Sequence, residues 1–156
     1  MKCAIEVMDI YVNAKAEKER LAEIERQQKE EKRRQKELKR KAAVIEGTVK
    51  FCDTRLNDLL IKEANAANDE FKVTLPIRFN DSTHEEFCVL SEVKRPNSFD
   101  YWEQDSAWLD SKTFVDYLEN NCFHLALKDN DYRLCNGKFF IHGATMTITF
   151  NIPDCL

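Results

Sequence analysis

AEKERLAEIERQQKEEKRRQKELKRK, from Ala16 to Lys41, is the stretch whose reading decides the fold. It sits in a longer run, Asn13 to Glu46, that holds no glycine and no proline. The expected element is a helix with almost no apolar face through its middle. Opposite charges recur at helical neighbour spacing: Glu17 with Arg20, Glu23 with Arg26, Glu25 with Lys29, Glu30 with Arg34 and Glu37 with Lys41. Such pairs help a helix stand in water without packing.

Apolar residues lie on either side of this stretch, Ile5 to Val12 before it and Val44 to Ile61 after it. A heptad register started at Cys3 passes through Val7, Ile10, Leu21, Ile24, Leu38, Ile45, Val49, Cys52, Leu56 and Leu59 without interruption. Gln28, Glu31 and Gln35 fall on the same register and make poor knobs. This predicts one continuous helix with a coiled-coil-like seam at both ends and a weak centre. Gly47-Thr48 is the place for a break, after which Asp53 or Thr54 would cap a second helix. The helix should end in Asn65-Ala66-Ala67-Asn68-Asp69, where small residues and Asn/Asp favour caps and turns. Unbroken from Ile5 to Ala64 it would be about 90 Å long at 1.5 Å per residue.

At Phe71 the period changes from helical to two. Phe71, Val73, Leu75, Ile77 and Phe79 alternate with Lys72, Thr74, Pro76 and Arg78, as in a strand with one buried face. Pro76 cannot donate to a ladder, which points to a sheet edge or to a proline nitrogen facing away from any partner. Glu86–Val93 reads as the returning strand, and Met146, Ile148, Phe150 and Ile152 repeat the alternation. Between them, Asp110-Ser111 is a cap for a short helix presenting Phe114, Tyr117 and Leu118 on one side. Phe123–Leu127 is a strand, and Asn136-Gly137 is a hairpin signal between Tyr132–Cys135 and Lys138–His142. The fold class is therefore α+β: a long charged N-terminal helix over 1–68, with 47 the one place open to a break, followed by a small antiparallel-sheet domain with one short helix over 69–156.

Charge is unevenly spread, with the division near residue 41. Of the 24 Lys/Arg and 28 Asp/Glu, residues 1–41 hold thirteen and nine, leaving eleven and nineteen for the rest. A mildly basic arm is thus joined to an acidic body. No run of eighteen apolar residues occurs, and MKCAIEVMDIYV carries Glu6 and Asp9 where a signal peptide needs an unbroken apolar stretch, so the expected location is cytoplasmic with no membrane partner. The six cysteines show no tight spacing and read as reduced, mostly buried thiols.

Four groups of residues merit attention. The apolar helix start, Ile5, Val7, Met8, Ile10 and Tyr11, is too apolar on too many sides to stay in water. A second acidic-aromatic group, Phe99, Tyr101, Trp102, Glu103, Asp105 and Trp108, suits recognition of a basic protein surface, against the bland reading of a lid folded over the sheet. A basic group, Lys32, Arg33, Arg34, Lys36, Lys39, Arg40 and Lys41, could lie along phosphates, but Glu30, Glu31 and Glu37 interrupt it and no aromatic is interleaved. Cys122, His124, Cys135 and His142 are the one metal constellation that can be drawn; their spacing fits no usual zinc pattern, and no metal or other cofactor is assigned. No Walker loop, G-x-G-x-x-G, G-x-S-x-G or H-E-x-x-H is present, and no catalytic residue is assigned.

These features read as a non-enzymatic interaction protein that binds another macromolecule, with a protein partner or a second copy of itself through the long helix. Small size and a lone charged helix also suit an accessory or inhibitory factor of the kind viruses and mobile elements encode, one version of which would engage a basic nucleic-acid-handling protein through the acidic body. The alternative is nucleic-acid binding by the basic arm.

Overall fold

The computed structural model describes residues 1–80, 83–90, 107–134 and 139–152. Helix α1, Ala4–Phe51, runs into a π-helical turn, Cys52–Leu56, and then into α2, Asn57–Ala66. Strands β1 (Val73–Phe79), β2 (Glu86–Val89) and β3 (Leu109–Asp110) follow, then helix α3 (Ser111–Asn120) and strands β4 (Phe123–Leu134) and β5 (Phe139–Phe150). This is the expected α+β order of a long helix, a small antiparallel sheet and one short helix.

The chain divides into two compact units, Met1–Ala42 and Ala43–Leu156. The first is helical and exposed almost throughout, and its charged side chains pair along the helix. Glu17 meets Arg20 and Glu23 meets Arg26, as the spacing predicts. Further along, the arginines choose the glutamate three residues back rather than the four-residue pairs expected: Arg33 meets Glu30, Arg34 meets Glu31 and Arg40 meets Glu37. The guanidinium fork explains the choice, since Arg34 reaches both oxygens of Glu31 at 3.1 Å. Glu31 is held below the usual carboxylate range first by Gln35 and then by Arg34, and Glu37 by Arg40.

In the second unit the sheet order is β3-β2-β1-β5-β4, all antiparallel. β1 is therefore central, and the edge placement that Pro76 suggested is not what forms. Pro76 pairs with Thr145 on one side and accepts from the Leu90 N–H at 2.8 Å on the other. Its missing N–H faces the end of short β2, where only the reciprocal bond is lost. The separate pieces predicted on either side of Asn136-Gly137 merge into two strands of 12 residues, in register from Phe123↔Phe150 to Leu134↔Phe139. Asn136-Gly137 itself, and the end of the predicted Glu86–Val93 strand, lie outside the described residues.

The alternation read from sequence fixes the core face: Val73, Leu75, Ile77 and Phe79 are buried with Ala144, Met146 and Ile148. Phe114 and Leu118 of α3 pack on it, with the Phe114 ring edge-on to Phe87 at 5.2 Å. Asp110 caps α3 as expected, its Oδ2 accepting from the Thr113 N–H at 2.9 Å. What the heptad register did not show is that Phe51, Cys52 and Leu56 belong to the same core. The apolar end of the long helix meets its own sheet, while the in-register Ile45 and Val49 stay exposed.

Helix α1 passes through Gly47 unbroken, as the preserved heptad phase predicts. A Cβ there would meet nothing within 4 Å. The irregularity comes five residues later, as the π turn, whose first and last residues are both buried while Asp53, Thr54 and Arg55 face out. Thr48, fully buried, ties this segment to α3: its hydroxyl donates to the Val44 carbonyl and accepts the Asp110 N–H, both at 2.7 Å. α2 ends inside the predicted Asn65–Asp69 window, at Ala67, whose left-handed φ of 51° lets its N–H reach the Ala64 carbonyl.

Candidate functional site

The helix start lies in the Met1–Ala42 unit. Its first turn is closed by the Cys3 N–H donating to Glu6 at 3.0 Å, half of a capping box. The five singled-out residues are all exposed, from Ile5 at 72% to Ile10 at 52%. They surround the helix rather than forming one stripe, so no single face of this chain would cover them all.

The basic group lies on the same element, and every member is exposed. Arg33, Arg34 and Arg40 each carry a glutamate partner, which lowers the charge presented to a phosphate. Of the acidic-aromatic group, Phe99, Tyr101, Trp102, Glu103 and Asp105 lie outside the described residues. Trp108 is half-buried, with the Arg78 guanidinium 5.2 Å from its ring centroid on the sheet face opposite the core. That contact is part of the fold's own packing.

Among the described residues no group of three metal-ligating side chains occurs. Cys122 does not share a strand face with His124, because it precedes β4 at a left-handed φ of 66° and turns the chain out of α3. Cys122 is also disulfide-bonded, so the expectation of uniformly reduced thiols does not hold. Cys135 lies outside the described residues, and of His142 only the backbone pairing with Asp131 is described. Cys3, Cys52 and Cys88 are free. Burial pushes the Cys52 thiol up to about 12, with Asp53 adding to it, and burial also raises Cys88. Neither is a ready nucleophile at neutral pH.

One feature went unseen in the sequence. Beside the π turn, within the Ala43–Leu156 unit, a cavity of about 260 Å³ opens to the surface. One wall is helical, made by Leu60, Ile61 and Ala64 of α2. The other is three rings from distant points of the chain: Phe71 stacks on Phe150 at 4.0 Å, and Phe123 lies 6.4 Å from Phe71. Cys52 lines it as a neutral thiol, and Asn57, Tyr117 and Asn121 supply polar groups. The Tyr117 hydroxyl donates to Asp53 at 2.7 Å, and that bond is the chief reason the phenol is pushed up to about 12. Asn121 spends its NH₂ on the Tyr117 carbonyl. Sequence pattern could not assemble these residues, since the rings come from before β1, the start of β4 and the end of β5. The surplus of exposed apolar residues around it, Ile61 at 50% and Phe150 at 49%, is the signal that structure alone gives.

No protein-family model, curated protein or solved structure matches the chain. Among the described residues no helix is long and apolar enough to cross a membrane.

Proposed function

We propose that this is a non-enzymatic interaction protein that acts by binding another macromolecule, with the apolar start of α1 as a binding element. The observation that carries this reading is the exposure of Ile5, Val7, Met8, Ile10 and Tyr11 together on one short stretch of helix. Apolar surface of this kind gains free energy when a partner removes it from water. A second copy is the first partner to test, because Val7, Ile10, Leu21 and Ile24 keep one heptad phase and all remain exposed. A groove on another protein that takes an amphipathic helix would serve the same residues. The acidic balance of residues 42–156 adds a preference for basic partners and faster encounter with them.

Light scattering at micromolar concentration tests it, with wild type beside the double variant Val7→Asp and Ile10→Asp. The reading expects a dimer that the double variant dissociates. A wild-type monomer rules out the dimer, and a double variant that also keeps all partner binding removes the helix start as a binding element.

A further inference from the structure

The cavity beside the π turn has the features of a receptor for one side chain. Its roughly 260 Å³ falls below the ~300–1,000 Å³ typical of sites that enclose a drug-sized ligand, so its volume suits a single anchor rather than a free metabolite. The stacked pair Phe71–Phe150 offers an aromatic surface, and Phe150 remains half-exposed although its neighbours Ile148 and Met146 are buried. The opposite wall adjoins the π turn: Asn57 follows directly on it and Leu60 lies in the next turn of helix, beside a backbone irregularity of a kind that recurs at functional sites. Asn57 and Asn121 stand at the polar side, where side-chain amides can meet the peptide groups that flank an anchor.

Charge selects among partners. Asp53 stands beside the cavity through its bond with Tyr117, and residues 42–156 hold nineteen Asp/Glu against eleven Lys/Arg. Asp116 is engaged by Lys112 at 3.2 Å, which still leaves acids in excess. We propose that this cavity is a second docking point, which receives one aromatic or aliphatic side chain from a basic segment of a partner protein. The inference rests on the reading of the chain as an interaction protein, but uses residues remote in sequence from the helix start. The anchor stacks on Phe71 and Phe150, its flanking cations are drawn to Asp53 and the acidic balance of this unit, and the arrangement follows the usual logic of a buried apolar hot spot with a polar rim.

The test uses the full-length protein with labelled Leu, Ile and Ala methyl groups and three peptides: acetyl-KKFKK-amide, acetyl-KKAKK-amide and acetyl-EEFEE-amide. At about 1 mM, a range in which weak anchors register, KKFKK shifts the methyl signals of Leu60, Ile61 and Ala64, while the other two bind at least about tenfold more weakly. Ala64→Phe, at an exposed helix position, fills the cavity and abolishes the shifts; Ile61→Asp, also exposed, is the second variant and does the same to the apolar contact. Silence with KKFKK overturns the proposal, as do shifts that survive both variants. Equal binding of EEFEE overturns the charge assignment, and concentration-dependent shifts at these methyls without peptide assign the cavity to a second copy instead. A silent cavity beside an intact helix-mediated dimer refutes the docking point alone, whereas failure of both experiments refutes the interaction reading itself.

Discussion

Replacing Thr48 by valine keeps the volume of a fully buried side chain and removes its oxygen. In the native structure that oxygen accepts the Asp110 N–H at 2.7 Å, so Thr48→Val strands a donor at the start of α3. An unsatisfied buried N–H costs about 1–3 kcal/mol, more than the net worth of the bond itself, because water is not there to replace the acceptor. Thr48→Ser is the matched control: it keeps the oxygen and loses one methyl, a cost of about 0.8 kcal/mol. The assay is urea unfolding of the full chain followed by tryptophan fluorescence, since Trp102 and Trp108 both lie in the Ala43–Leu156 unit and the helical arm contributes nothing to the signal. A loss of about 2 kcal/mol moves the midpoint by about 1 M at an m-value near 2 kcal/mol/M. A Thr48→Val midpoint within about 0.3 M of wild type, or a Thr48→Ser loss as large as the valine's, would refute the account of Thr48 as the link between α1 and the α3 cap.

Gly47→Ala should stabilise the chain by about 0.4–1 kcal/mol, because the position is helical and open and alanine only removes freedom from the unfolded state; calorimetry showing a lower Tm would contradict that placement. Tyr117→Phe should cost about 0.5–1.5 kcal/mol at pH 7 through the lost bond to Asp53. Since the folded phenol is raised to about 12 from its ordinary value of 10.0, the wild-type advantage over the variant should be full below pH 10 and fade as pH rises through 12. Among the described free thiols, iodoacetamide at mildly alkaline pH should modify exposed Cys3 first and reach Cys52 and Cys88 only in denaturant; early labelling of Cys52 by peptide mass mapping would contradict its burial.

The parts of the fold that declare themselves locally were legible. Alternation from Phe71 to Phe79 identified both β1 and the face it buries, and Asp110 announced the cap it makes. Legibility failed where a pattern has two physical causes. An apolar seam at Cys52 and Leu56 looks the same whether a second helix or the chain's own sheet covers it, and here the sheet does. Lys128-Asp129-Asn130-Asp131 reads as a break between strands, yet a strand at the end of a sheet tolerates charge, and β4 runs through it. The helix start stood out because its apolar residues crowd several sides of one short stretch, and the structure leaves them exposed. The cavity was not, because three phenylalanines spread from 71 to 150 carry no common spacing.

Strand β4 closes the sheet order, and among the described residues no strand pairs with its outer side. Twelve residues is about twice the usual strand, and an unpaired row of that length is a template on which another extended chain can polymerise. The exposed Lys128 and Asp129 then act as gatekeepers: they make stacking of like strands costly in desolvation and repulsion. The same residues that disguised β4 as a turn thus govern colloidal behaviour, and a variant neutral at Lys128 and Asp129 would be prone to fibres even with its native packing unchanged.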